Sequence, residues 1–244
     1  GTWAESIGET SPQQDMHTAN SQSIWTAMSE RAMHPDPWTN ELRGNIVEKW
    51  ETPDPTHFIF HIRQGVKIHN KPPWNGRDFD AEDMAFNINR IGGNTAAAEG
   101  LPKASFQRAS SFADVKTLEV VDRYTLRITM AKPSSAFLNG LTFYKNKLMP
   151  KGIVEVGFKD PMKFAGIGAY QLTEFTPGVR EVYTRFPEYY RKGEPHLDKF
   201  VRTVIPDKAG QIAAFISRQL SSVSGITPQD EKTIRAARPV TRAK

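Results

Sequence analysis

Cysteine is absent from the 244 residues. That excludes a disulfide framework, a thiolate nucleophile and a Cys-ligated zinc. No apolar run approaches the roughly 18 residues of a membrane-spanning helix, and the chain does not open on a charged-then-apolar leader. An export signal would lie upstream of Gly1. Blocks of five or six like charges are also missing: 32 basic and 27 acidic residues, net +5, are dispersed along the chain. No nucleic-acid partner is expected from so diffuse a charge, whereas an acidic small ligand, an anionic lipid surface or mere solubility would all suit it. There is no G-x-S-x-G elbow, no Gly-Lys-Ser/Thr, and none of the six histidines stands in a general-base setting. What remains is ordinary globular composition, 38% hydrophobic and 24% charged, enough for one large core or two modest ones.

Polar and apolar residues alternate without a break over Arg123–Met130, the period of a strand with one buried face. With "VKTLEVV" (115–121) across Asp122-Arg123 it predicts an antiparallel hairpin. Phe58, Phe60 and Ile62 alternate with His57, Ile59 and His61, and Gly65 predicts a turn into a partner strand "VKIH". A third pair is "YQLTEF" (170–175) and "VREVYTRF" (179–186) around Thr176-Pro177-Gly178, and "KFVRTVI" (199–205) reads as a further strand.

Asp80 predicts a helix start, with Asp83 three residues on and Phe79 and Met84 as a hydrophobic staple; Met84, Ile88 and Ile91 share a face and Gly92-Gly93 ends it. Ile24, Ala27, Met28 and Arg31 suggest a helix before "HPDP", and Ile212, Phe215, Ile216 and Leu220 another after Pro206-Asp207. Thr227-Pro228 opens a last helix that Pro239 would close. Residues 92–111 are small, polar and aperiodic, hence a long loop or insertion. Hairpins mixed with helices predict an α/β or α+β chain with mixed sheets.

Each chemical candidate carries a plainer reading. Gly166-Ile167-Gly168 precedes a strand rather than a helix, so it lacks the free N–H groups of a phosphate cradle; glycines easing a tight backbone path are expected. His57, His61 and His69 match no metal-site spacing and read as exposed histidines opposite the buried Phe58/Phe60/Ile62 face. Glu82 and Asp83 could form a catalytic carboxylate pair, but adjacent helical side chains diverge and first-turn acids favour the helix dipole. Five tryptophans fall in the first third, where they could line a groove; packing is the expected use of most.

Several segments together resemble the family 5 extracellular solute-binding proteins, receptors of peptide, nickel and related ABC importers. They are "QDMH" (14–17), "EKW" (48–50), "FIFHIRQGVKIHNKPPWNGRDFDAEDMAFNINRI" (58–91), "DRYTLRITMAKPSSAF" (122–137), "GIGAYQLTEFTPG" (166–178) and "FPEYYRKGEPHLDKFVRTVIPD" (186–207), in family order. The resemblance implies the first lobe of a periplasmic-binding-protein-like α/β fold (type II), with an appended smaller subdomain and the second lobe absent. Residues 1–27 and 151–227 would form a cleft-flanking sheet domain, 28–150 the appended subdomain, and 228–244 the start of the crossover to the second lobe.

By the same resemblance, Thr18, Ala19, Asn20 and Ser21 lie along the ligand, Val223, Ser224, Gly225 and Ile226 face the cleft, and Phe106 contributes an aromatic contact. "QDMH" stands for the usual "LDPH", "SRQLS" (217–221) for "SGEID", and Ala169 for a common proline. The expected function is capture of a small or peptide-like solute by two-lobe closure and delivery to an ABC permease. The chain would act as a monomer, without cofactor, metal or catalytic residues, outside the cytoplasmic membrane and held there by any lipid anchor upstream of Gly1. A carboxylate-dependent hydrolase, or a signalling or adhesion module on the same fold, is the alternative.

Overall fold

The computed structural model describes residues 1–10, 14–18 and 23–238. In chain order these form β1 (Thr2–Ile7), α1 (Ser23–Met28), β2 (Met33–Pro35), β3 (Leu42–Gly44), β4 (Val47–Asp54), β5 (His57–Ile62), α2 (Ala81–Ile91), β6 (Val115–Asp122), β7 (Thr125–Met130), α3 (Ser135–Thr142), α4 (Ile153–Val156), β8 (Tyr170–Thr176), β9 (Arg180–Arg185), β10 (Lys199–Val204), α5 (Lys208–Ile216) and α6 (Pro228–Ala237). One four-stranded sheet has the order β1-β10-β9-β8, a second the order β4-β5-β7-β6, and β2 pairs with β3. The first is mixed, since β1 and β10 run parallel and the other pairs antiparallel. The architecture is the α/β class with mixed sheets that the sequence implies.

The second sheet follows from alternation. On β5 the even positions Phe58, Phe60 and Ile62 are buried, and the register sets Phe58 against Ile128 and Phe60 against Leu126 of β7. Phe137 of α3 closes this face, its ring 5.3 Å from Phe58 and 6.0 Å from Phe60. Each such phenyl contributes about 2–3 kcal/mol of transfer free energy. The expected partner of β5 is corrected, however. It pairs with β4 and β7, while the "VKIH" segment bridges only Lys67 to Asp78. Strand β4 is mostly exposed, so its sequence carries little alternation.

Helix α2 forms as its cap residues dictate. The Asp80 carboxylate accepts from the Glu82 and Asp83 amides, Asp83 reciprocates at the Asp80 amide, and Phe79 and Met84 are both fully buried. Gly93, at φ +69°, supplies the left-handed residue beyond the last turn. Helix α6 likewise starts with a Thr227–Asp230 capping box and Pro228 at its first position. Pro239 lies outside the described residues. Helices α1 and α5 end earlier than their apolar spacing suggests. Arg31 bridges Lys147 instead of continuing α1, and Arg218 turns left-handed at φ +66°, leaving Leu220 buried but non-helical.

The two glycines before β8 answer to a contact. A Cβ on Gly166 would lie 1.9 Å from the Met28 carbonyl oxygen, and one on Gly168 would lie 2.5 Å from the Met28 carbonyl carbon. The loop therefore rests directly on the last turn of α1, with the Gly168 amide donating to Met28 O at 2.8 Å. His69 closes the other side. Its amide donates to Gly166 O, its Nδ1 accepts from the Gly166 amide at 3.2 Å, and its Nε2–H then donates to Gly168 O at 3.0 Å. This corrects the reading of His69 as exposed: it is fully buried, because both ring nitrogens are matched by backbone. His57 and His61 do lie on the outer face, paired with Asp54 and Glu51.

Candidate functional site

The segment 14–18, between β1 and α1, is held from four directions. Trp25 Nε1 donates to Gln14 O at 2.7 Å, and the Trp25 indole stacks on Phe164 with centroids 5.1 Å apart. Asp15 receives a two-pronged bond from Arg90 at 2.8 and 2.6 Å. Arg108 donates to both Met16 O and His17 O, and His17 Nε2 donates to Lys147 O at 3.0 Å. Segment 14–18 is thus pinned by charge from α2 and from the 92–111 insertion.

Arg90 is the centre of this arrangement. Fully buried on the face of α2, it also donates to Glu99 at 3.0 and 2.8 Å. Phe106 and Phe158 hold its guanidinium between rings, at 5.5 and 5.1 Å. Burial works to raise the Asp15 carboxyl, but the hydrogen bonds and charge of Arg90 outweigh it and hold Asp15 below the usual carboxylate value. Burial, reinforced by the Arg90 charge, pushes His17 down to about 3, so its imidazole is neutral; Nδ1 has no hydrogen-bond partner among the described residues. Lys147 caps α1 by donating to Thr26 O and Ser29 O, and burial lowers its pKa to about 8.

The residues singled out in the sequence fall as follows. Thr18 is buried, its hydroxyl 3.5 Å from Asp15 O; Ala19, Asn20 and Ser21 lie outside the described residues. Phe106 is buried beneath Arg90 rather than open to solvent. Val223, Ser224, Gly225 and Ile226 follow Ser221, whose amide donates to Ala4 O on the free edge of β1. Ser224 O accepts from Lys208 Nζ, Gly225 has φ +61°, and Ile226 is exposed. Ser221, just before 223–226, thus joins that segment's stem to β1, and Phe106 packs on Arg90, which in turn holds Asp15. The roles of Arg90, Glu99 and Arg108 were not read from the sequence. An arginine between the apolar Ile88 and Ile91 of α2, in line with Asp83 and Asn87, was the available signal.

Glu82 and Asp83 are both structurally engaged. Glu82 pairs with Lys151 on the surface at 2.7 Å, while Asp83 takes a fork from Arg77 and a bond from the Lys151 amide. Of the tryptophans, Trp25 and Trp74 are core residues, Trp50 packs on the core, Trp3 is 37% exposed and Trp38, at the β2–β3 turn, 92%. Among the described residues no cluster of three metal-ligating side chains occurs, and no helix is long and apolar enough to cross a membrane.

The model of the bacterial extracellular solute-binding proteins, family 5, middle, matches residues 41–243. A heme-binding protein A of Haemophilus influenzae is 26% identical over 211 residues, covering 81% of this chain and 37% of that protein. A dipeptide-binding protein of Escherichia coli is 25% identical, covering 79% and 38%. Among solved structures, a dipeptide-binding protein of a Pseudoalteromonas species in complex with Met-Leu superposes with a TM-score of 0.79 at 18% identity, over 90% of this chain and 46% of that one. The A. tumefaciens protein MoaA in complex with mannopinic acid gives 0.79 at 21%, over 98% and 48%. The chain thus spans less than two fifths of these curated relatives.

Proposed function

Because the chain belongs to the bacterial extracellular solute-binding proteins of family 5, we propose that it is the first lobe of a receptor that captures a peptide-like solute and passes it to an ABC permease. The observation that carries this reading is the family match over 41–243, together with a β1–α1 segment held rigidly against two other parts of the lobe. A lobe that must meet a second one across a ligand needs such a preorganised rim, because loops ordered only on binding lose affinity to entropy.

In this reading residues 1–27 and 151–227 flank the cleft, 28–150 form the appended subdomain, and 228–244 lead towards a second lobe. Thr18 to Ser21 and Val223 to Ile226 are the two strips that meet the solute, with Phe106 supporting the first through Arg90. Closure is driven only by the solute's preference for the closed state. The receptor acts as a monomer outside the cytoplasmic membrane, with a lipid anchor upstream, and performs no catalysis.

Calorimetry with a mixture of short peptides tests this on the chain alone and on a two-lobed receptor that carries it. Weak or no binding by the single lobe and tight binding by the pair is the expected result. Equally tight binding by the single lobe would refute capture by closure.

A further inference from the structure

The receptor reading leaves the solute open, and one depression in the appended subdomain bears on it. A cavity of about 400 Å³ opens between residues 107–111, α3 and residues 143–146. That is within the range of small-ligand sites. Arg108 forms part of its wall, with Ser110, Ser111, Asn139, Asn146 and the half-exposed ring of Phe143. No acidic side chain lines it.

Arg108 is fixed there by its neighbours. Nε donates to Asn146 Oδ1 at 2.8 Å, and one terminal nitrogen, NH2, donates to Met16 O and His17 O. The other, NH1, has no acceptor among the described residues. Asn146 is itself held, donating from Nδ2 to Gly140 O. The contrast with Arg90 is instructive: Arg90 is matched by two carboxylates, whereas Arg108 is ion-paired to none of the described residues. Burial lowers the Arg108 pKa and outweighs the opposing charge of Asp15. A partly desolvated guanidinium, held in place by neutral acceptors and sharing its depression with the hydroxyl-bearing Ser110 and Ser111, is complementary to a carboxylate.

We propose that this depression is a subsite for a carboxylate of the solute, with Arg108 NH1 as its charged donor and the hydroxyls of Ser110 and Ser111 completing the contact. This rests on the receptor reading, because the same guanidinium grips the two carbonyls that immediately precede Thr18. The solute class it selects is therefore a small molecule or peptide with a free carboxylate.

Titration of the ¹⁵N-labelled chain with N-acetylalanine, its amide, and succinate tests the assignment by amide shifts at Ser110, Ser111 and Asn146. Saturable shifts with both carboxylates, and at least tenfold weaker response to the amide, are expected. Response to N-acetylalanine alone would mark a peptide C-terminus as the ligand, and response to succinate alone a free dicarboxylate. Asn139→Asp, which sets a negative charge on the exposed wall, should weaken binding at least tenfold with the remaining spectrum unchanged. Arg108→Lys keeps the charge and should weaken it severalfold. No saturable shift, equal response to acid and amide, or an unaffected Asn139→Asp variant would overturn the subsite. Peptide capture by the two-lobed receptor in that event would leave the receptor reading standing; its loss as well would remove both.

Discussion

Tyr189 donates a 2.7 Å hydrogen bond to Glu30 Oε1, joining the β9–β10 loop to the segment between α1 and β2. Glu30 also accepts from Asn45 Nδ2, and Asn45 Oδ1 in turn accepts from Tyr190 and Arg191. Two consecutive tyrosines and an arginine therefore tie the first sheet to the strap that leads into the second. Burial pushes the Tyr189 phenol well above its ordinary pKa, so it stays a donor across the physiological range. Tyr189→Phe removes one bond to a carboxylate and should cost about 1.5–3 kcal/mol. Urea unfolding, with an unchanged m-value, is the check.

The Asp15–Arg90 pair should be far more sensitive. Asp15→Asn leaves a buried guanidinium with a single carboxylate partner, Glu99, and should lose about 3–5 kcal/mol. Arg90→Met together with Asp15→Asn replaces the cation by a side chain suited to the space between Phe106 and Phe158. Denaturant titrations should place the double variant well above the sum of the single losses. Strict additivity would contradict the coupling drawn from the geometry.

Acid should destabilise the lobe well before its exposed carboxylates protonate. Burial lowers His69 to about 4 from an ordinary 6.5, so the unfolded chain binds this proton first as pH falls. The stabilisation is complete above pH 6.5 and is lost progressively down to about 4. At about 1.4 kcal/mol per pKa unit it amounts to about 3 kcal/mol. Thermal melts from pH 7.5 to 4.5 should fall steeply, with a shallower slope in His69→Gln, because glutamine does not titrate.

Gly166 and Gly178 make a matched comparison. Gly166→Ala forces a methyl into the Met28 backbone and should abolish or severely impair folding. Gly178→Ala meets open space and carries only the cost of φ +69°, about 1 kcal/mol. Circular dichroism and melting temperature separate the two outcomes.

Strands with one buried face and helices with side-chain caps were legible in the sequence because their signals are local. Phe58, Phe60 and Ile62 report their own burial by alternation, and Asp80 with Asp83 closes its box within four residues. Strands β1 to β4 were not legible: β2 and β3 are three residues long, β4 is largely exposed, and β1 is fixed by β10, far away in the chain. His69 looked like a surface residue because its partners, Gly166 and Gly168, lie 97 and 99 positions on. Arg90 and Arg108 escaped for the same reason. Their acceptors in segment 14–18 lie 75 to 92 positions away, and no periodicity encodes such a match.

The pairing of Thr2 with Lys199 orders assembly in time. The second sheet is built from two hairpins, β4–β5 and β6–β7, joined through the β5–β7 pairing, and all its strands lie between residues 47 and 130. The first sheet cannot be completed until a loop of almost two hundred residues closes on β1, with Gly1 meeting Asp198 at its end. Loop-closure entropy delays contacts of that separation. The edge of β1 is thus expected to wait as an open strand while the rest of the chain condenses, and its docking, with Ser221 on its other edge, to come late.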